Sequence, residues 1–455
     1  MSERMSEVAC TRRSLLQGAG AAGLTAFLGS LAGVGLSAVD ALPAEAATAG
    51  GYRALVCVFL FGGNDGFNLL VPTDASGYND YARARGNLAV DRSALLPVKP
   101  GGAPEVGFHP SLAPLASLFH DGQLGVVANV GSLLVPTTKA DFTARRNLPE
   151  ALFSHSDQQA EWMVGSSAGV ATGWAGRLAD LLSPAGASGL SMNISLGGTN
   201  LFETGRTVVP YSCGPNGGAY FQALNTPLRS ALIAENWARA AGGPDPFQAY
   251  LGQRYAESRA VSDHLTTVLK GTPALATVFP KTQVGRQLAS VARLINARGA
   301  LGAKRQIFFV GMGGFDTHTG QIVTQPRLFA DLAASLAAFH AATVEMGVTK
   351  QVTSFTHSDF GRTLQSNGAG SDHGWGSHHL VLGGAVRGGR IYGELPELAL
   401  GTSLEVGSGR IIPTTPVDSY ASTLARWFGA RAADVNTLFP RLNRFAHPTL
   451  GFMKP

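Results

Sequence analysis

Residues Ala54–Phe61 read ALVCVFLF and pass directly into Gly62-Gly63-Asn64-Asp65-Gly66. A short, unbroken apolar run with β-branched and aromatic members, stopped by glycines, predicts a strand buried on both faces, as in a parallel sheet. Leu124–Val130, Ile307–Val310 and Val352–Thr356 share the pattern, and each ends in Gly, Asn, Ser or His. Between the last two, Leu328, Phe329, Leu332, Leu336 and Phe339 recur at helical spacing and predict a helix from about Pro326 to Met346. Pro326 suits its first turn and Gly347 its stop. Strand, helix and strand in this order make a βαβ unit. A longer, more polar helical region at about 227–298 reads as an inserted cap or an outer layer. No Pro/Ser linker divides the chain, so the expectation is one large α/β domain.

Composition narrows the function classes. Of 455 residues, 45% are hydrophobic and 14% charged, which supplies a sizeable core and excludes disorder as the main state. Three cysteines cannot staple so long a chain. The formal charge of +5 comes without a dense Lys/Arg run, so no nucleic-acid partner is expected.

The first residues read as an address. Thr11-Arg12-Arg13-Ser14-Leu15-Leu16 precedes a mildly apolar Gly/Ala stretch, and Ala44-Glu45-Ala46 is a small-x-small cleavage site. These three parts predict a twin-arginine export signal over 1–46 and a mature domain over 47–455. The partner implied is the twin-arginine export machinery, and the location is periplasmic or secreted. The Gly and Ser content argues against a stable span, which wants ~20 predominantly apolar residues, and no stable membrane span is expected after cleavage. Export implies an oxidising compartment. Cys57 reads as a buried strand thiol, with a Cys57–Cys213 disulfide as the alternative.

Acids and histidines gather just past the predicted strands, where open α/β sheets bind ligands. Asp65 follows the first strand, either as a metal carboxylate or as the cap of an Asx turn. In Gly313-Gly314-Phe315-Asp316-Thr317-His318, extended geometry would point Asp316 and His318 the same way. Carboxylate plus imidazole suits a first-row metal, and a turn Asp with a capping His is the alternative. The densest stretch runs His357-Ser358-Asp359-Phe360-Gly361-Arg362, then Asp372-His373 and His378-His379. Six of the eleven histidines fall between His318 and His379. Alternation along a strand would turn only one of His378 and His379 inward, and only one of Asp372 and His373. A Gly-rich surface loop is the alternative. Arg362 suits a phosphate or sulfate, or clamps Asp359. His340 lies in the helix and reads as outside any site. Ser154 or Ser156 could be a nucleophile at a helix start, while Ser156 serves equally as an N-cap with Gln159 in a capping box.

Taken together, the paired arginines, FLFGGNDGFN at 59–68, GGFDTH at 313–318, SDFGRT at 358–363, DHGWGSHH at 372–379 and IIPTTPVDSYASTLARWFG at 411–429 resemble the exported bacterial family called domain of unknown function fifteen-oh-one. The resemblance spans nearly all of the mature chain. That family is similar to the alkaline phosphatase and sulfatase superfamily, which implies a three-layer α/β sandwich with a mainly parallel central sheet and a metal site at the strand ends. Carried over, the resemblance implies Asp65, Asp316, His318, Asp359 and one of His373 or His379 as ligands of a divalent metal (Zn, Mn, Ca or Fe). No nucleophile motif is carried over, so Ser154 or Ser156 stands as the candidate from its own segment, and in a hydrolase Arg362 would steady an anionic ester. Phe360 stands where the superfamily often has a second-metal histidine, which puts a two-metal mechanism in doubt. Two functions follow as expectations. One is an exported metal-dependent hydrolase of phosphate or sulfate esters. The other is a non-catalytic exported binding or scaffolding protein with a degenerate metal site.

Overall fold

The computed structural model describes residues 51–99, 104–165, 171–183, 189–214 and 226–454. The expected export signal and cleavage site lie outside the described residues. Among the described residues the central sheet has nine strands: β1 (Arg53–Leu60), β2 (Leu124–Gly131), β3 (Asn193–Ser195), β4 (Tyr211–Ser212), β5 (Arg305–Met312), β6 (Val352–Ser358), β7 (Ser377–Leu382), β8 (Ile391–Tyr392) and β9 (Thr415–Pro416). Their order is β8-β2-β7-β6-β1-β5-β3-β4, with β9 also beside β2. All pairings are parallel except those of β7 with β6 and β2. The chain leaving β6 turns back at the same end of the sheet instead of crossing over, so β7 must run the other way.

The helices that matter here are α1 (Ala75–Arg85), α2 (Ala113–His120), α3 (His155–Val164), α4 (Trp174–Leu182), α5 (Pro227–Ala241), α6 (Pro246–Gly271), α7 (Gln283–Asn296), α8 (Gln321–Glu345) and α9 (Val417–Phe428). Strand alternation divides the core between two faces. On β1, Ala54, Val56, Val58 and Leu60 join Leu115 of α2, Leu288 of α7 and Phe329 of α8. Leu55, Cys57 and Phe59 join Trp162 of α3, Leu178 of α4 and Leu424 of α9. A mixed, mostly parallel sheet between two helical layers is thus the observed architecture.

Both described thiols are free and buried, on opposite faces of the sheet, which is why Cys57 and Cys213 form no disulfide. The helix expected from Pro326 begins a turn and more earlier, at Gln321, after the left-handed Gly320. Pro326 therefore sits inside it, where its missing N–H removes one hydrogen bond of the ladder. By length and composition α8 could cross a membrane; here it packs Phe329, Leu332, Leu336 and Phe339 into the core. The 227–298 region is layered. Helix α7 lies directly on the core, α6 reaches it through Leu265 and Leu269, and no residue of α5 is buried.

Candidate metal centre

Flush strand ends build the site. In register, Leu60 is paired with both Met312 and Ser358, so β1, β5 and β6 finish at one level. The segments that follow, Phe61–Asn64, Gly313–His318 and Asp359–Arg362, emerge side by side. They fit because Gly62, at φ +113°, brings its backbone against that of Asp316; a Cβ there would lie 2.3 Å from the Asp316 amide nitrogen. Two further elements close on them: the antiparallel hairpin of Arg362–Ser366 with Ser371–His373, and the N-terminus of α3.

Four side chains converge. His155 Nε2 stands 3.5 Å from Asp316 Oδ2. The Nε2 atoms of His318 and His373 are 3.2 and 3.3 Å from Asp316 Oδ1, and 2.9 Å from each other. The donor atoms of His155, Asp316 and His373 all fall within 4.8 Å of one another. Side-chain exposures of 46% for Asp316, 41% for His318, 34% for His155 and 21% for His373 leave the cluster open to solvent.

The other ring nitrogens decide what this cluster can hold. His155 Nδ1 lies 2.6 Å from Asp359 Oδ2, His318 Nδ1 2.9 Å from Asp372 Oδ1, and His373 Nδ1 2.6 Å from the carbonyl oxygen of Phe153. Carboxylates and carbonyls only accept, so each imidazole carries a proton on Nδ1, and it is the Nε2 atom that each ring can offer as a lone pair beside Asp316. Burial holds His373 below the usual histidine range, with the charges of Arg362 and His155 acting the same way, which favours the neutral ring. Burial pushes the Asp316 carboxyl up, but the hydrogen bond and charge of Arg362, with smaller contributions from His318 and His155, prevail and keep it ionised. The two Nε2 atoms 2.9 Å apart are held together by a proton on one of them or by a metal cation among them. Ligand atoms around a tetrahedral ion with bonds of ~2.0–2.1 Å sit about 3.3 Å apart, close to the 3.2, 3.3 and 3.5 Å that separate the three imidazoles from Asp316. The residues present therefore fit a divalent metal.

Asp359 supports this cluster from behind. It is fully buried and accepts from Gly62 N at 3.2 Å, from His155, and from Gln159 Nε2 at 3.0 Å. That arrangement orients a ligand histidine by a carboxylate on its far nitrogen. Arg362 is also buried and donates to Asp316 Oδ1 at 2.8 Å, to Gly62 O at 3.1 Å and to Ser371 O. It clamps Asp316, where the sequence suggested Asp359 or a substrate anion. Phe360 packs its ring against those of His155 and His373, with centroids 4.9 and 4.5 Å away.

Other expected residues stand elsewhere. Asp65 is bound by Arg85 of α1 and by Gln321 Nε2 of α8 at 2.5 Å, both inside the protein, and does not reach the cluster. His379 faces the core beneath Trp162, with burial pulling it down to about 3, and its Nδ1 meets Thr356 Oγ1 at 3.2 Å. His378 is equally buried and accepts from Asn129 N, so neither of this pair joins the cluster. Asp372 and His373, by contrast, both reach His318, because its two nitrogens lie on opposite edges of the ring and the three-residue strand grips both. Ser154 is the cap residue of α3 but makes no side-chain cap bond, and the hydroxyls of Ser154 and Ser156 turn to Asp157. Gln159 is drawn to Asp359, so the capping box does not form.

His155 was not among the ligand candidates in the sequence. Its signal was there: His155, Gln159 and Trp162 share one face of α3 by spacing, and they meet Asp316, Asp359 and the His357/His379 rings in turn.

The family described as protein of unknown function (DUF1501) matches residues 240–407. This is narrower than the resemblance read from the motifs; it includes Asp316, His318, Asp359 and His373 and leaves out His155. No curated protein matches the chain. Among solved structures, the soluble domain of a lipooligosaccharide phosphoethanolamine transferase A from Neisseria meningitidis is 9% identical, with a TM-score of 0.38 over 90% of this chain and 95% of that chain. A phosphonate monoester hydrolase from Silicibacter pomeroyi is 9% identical, with a TM-score of 0.36 over 83% and 74%. A sulfatase from Pseudoalteromonas sp. is 9% identical, with a TM-score of 0.33 over 85% and 70%.

Proposed function

We propose that the chain is an exported, divalent-metal-dependent hydrolase of phosphate or sulfate esters. One observation carries the reading: three Nε2 atoms converge on the Asp316 carboxylate while every Nδ1 is held by an acceptor. His155, His318, His373 and Asp316 would hold the metal. A donor set this rich in nitrogen suits Zn, Mn or Fe over Ca, which takes oxygen ligands. A bound divalent ion supplies Lewis-acid polarisation of an ester oxygen and makes water more acidic. The chain's own groups do the rest. Asp359, Asp372 and the Phe153 carbonyl hold each imidazole in one tautomer. Arg362 fixes Asp316 and keeps it ionised. Phe360 keeps water from the ring faces it covers, and the exposed side of the cluster admits substrate.

The turning of Ser154 and Ser156 to Asp157 favours a second reading, an exported protein that binds a metal or serves as a scaffold without turnover. Metal analysis of the purified mature protein, then assays on aryl phosphate and sulfate esters with and without chelator, separates the two. Stoichiometric metal with chelator-sensitive turnover, lost in Asp316→Ala, supports the hydrolase. Metal without turnover supports the second reading, and a protein that binds no metal refutes the hydrolase.

The export reading belongs to the same proposal: a signal over 1–46, a single domain over 47–455, and delivery by the twin-arginine machinery to the periplasm or beyond. Arg12→Lys with Arg13→Lys should leave precursor in the cytoplasm. Normal secretion of that variant would overturn the assignment.

A further inference from the structure

The hydrolase reading leaves the charge of the ester without a partner, because Arg362 is spent on Asp316, Gly62 and Ser371. We propose that Arg410 forms an anion subsite beside the metal centre, taking the tetrahedral oxyanion of a phosphate or sulfate ester; this rests on the hydrolase reading above.

Arg410 is built into place. Its guanidinium lies over the Phe153 ring, 4.9 Å from the centroid. Its Nε donates to the His373 carbonyl oxygen at 3.1 Å, and Nη1 reaches Gly407 O at 3.5 Å. Phe153 and His373 are themselves joined, carbonyl to Nδ1, so Arg410 rests on both halves of a contact inside the metal cluster. The loop that presents it is fixed from within. Glu405 accepts from the amides of Gly401, Gly407 and Gly409 at 3.2, 2.6 and 2.9 Å, and Val406 N donates to Arg410 O at 2.9 Å. Phe153 holds φ at +74°, a conformation non-glycine residues rarely adopt. Such strain gathers at functional sites. Here it aims the carbonyl at His373 while the ring carries Arg410.

Charge points to the ligand. Among the described residues, no carboxylate pairs with Arg410, whereas Arg85, Arg362 and Arg441 each have one. An unpaired guanidinium next to a divalent-cation site is repelled unless an anion comes between them. A planar fork with stacked, pre-ordered geometry suits an oxyanion with adjacent oxygens.

The test is calorimetric titration of the metal-loaded protein with inorganic phosphate and, separately, with inorganic sulfate. Arg410→Gln should lower the affinity for the bound anion about tenfold or more, the loss expected for hydrogen bonds to a charged group, with metal content unchanged. Arg410→Lys should fall between, since it keeps the charge and loses the fork. Phe153→Leu keeps the carbonyl on His373, removes the platform, and should lose part of the same affinity. With an ester substrate, KM should rise more than kcat falls. Unchanged anion affinity in Arg410→Gln overturns the subsite, as does wild-type protein that loads metal yet binds neither anion. Metal lost together with anion binding overturns it too, because Arg410 would then act only by supporting His373. A wild type that loads no metal sinks the hydrolase reading first, before the anion titration is reached.

Discussion

Replacing Arg85 by methionine separates the buried ion pair from the metal centre. Asp65 and Arg85 have side-chain exposures of 1% and 0%, so neither charge is shared with water. Without Arg85, the Asp65 carboxylate keeps only the Gln321 amide as a side-chain donor. Stranding a buried partner in this way costs about 3–5 kcal/mol. Arg85 also donates to the carbonyls of Thr363 and Leu364 at 2.9 and 3.2 Å, and losing those bonds adds about 1 kcal/mol each. Arg85→Met should therefore lose about 5–7 kcal/mol, seen as a lower urea midpoint at unchanged slope. Asp65→Leu combined with Arg85→Met should lose clearly less than the two singles added, since no charge is left stranded. Metal content should stay at the wild-type level in Asp65→Asn. A cost under about 1 kcal/mol for Arg85→Met, or strictly additive singles, would refute the buried pair as an energetic unit. Loss of metal in Asp65→Asn would return Asp65 to the ligand set.

Two further outcomes follow from the geometry. Asp359→Asn should weaken metal binding about 10–100-fold while retaining stoichiometry at saturating metal, because it loosens His155 without removing a ligand; competition with a chromogenic chelator measures this, and unaltered affinity would count against the orienting role. Glu203 concerns stability: complete burial, opposed by the Asn200 amide, pushes its carboxyl up to about 8. A carboxyl raised above its unfolded value stabilises fully below the unfolded range, and that contribution is lost as pH rises through the folded value. This group's contribution should thus fall between about pH 4.5 and pH 8, by on the order of 5 kcal/mol. Wild type should lose stability relative to Glu203→Gln over that window, with the variant the more stable protein at pH 8, as read by denaturant titration of both at each pH.

The strands could be read in the sequence because burial on both faces leaves a one-dimensional mark: ALVCVFLF needs no partner to be recognised. Gly313–His318, Asp359 and Arg362 were legible for a related reason, since polar residues just past buried strands must gather at one edge of a parallel sheet. The roles of these residues were not legible. Whether Asp359 grips a metal or the back of a histidine depends on which ring stands beside it, and His155 comes from a helix some two hundred positions away in sequence. Asp65 shares a motif with the site but lies within reach of Arg85, and that pair formed only when α1 packed against the hairpin at Thr363 and Leu364. His379 followed strand alternation into the core, while Asp372 and His373 escaped the same rule by closing on both edges of one imidazole. Local pattern therefore determined which segments are strands and at which end polar chemistry collects, because periodicity and burial act along the chain. Tertiary structure alone decided which lone pairs meet, because coordination and charge pairing act over a few ångströms between segments that the sequence holds far apart.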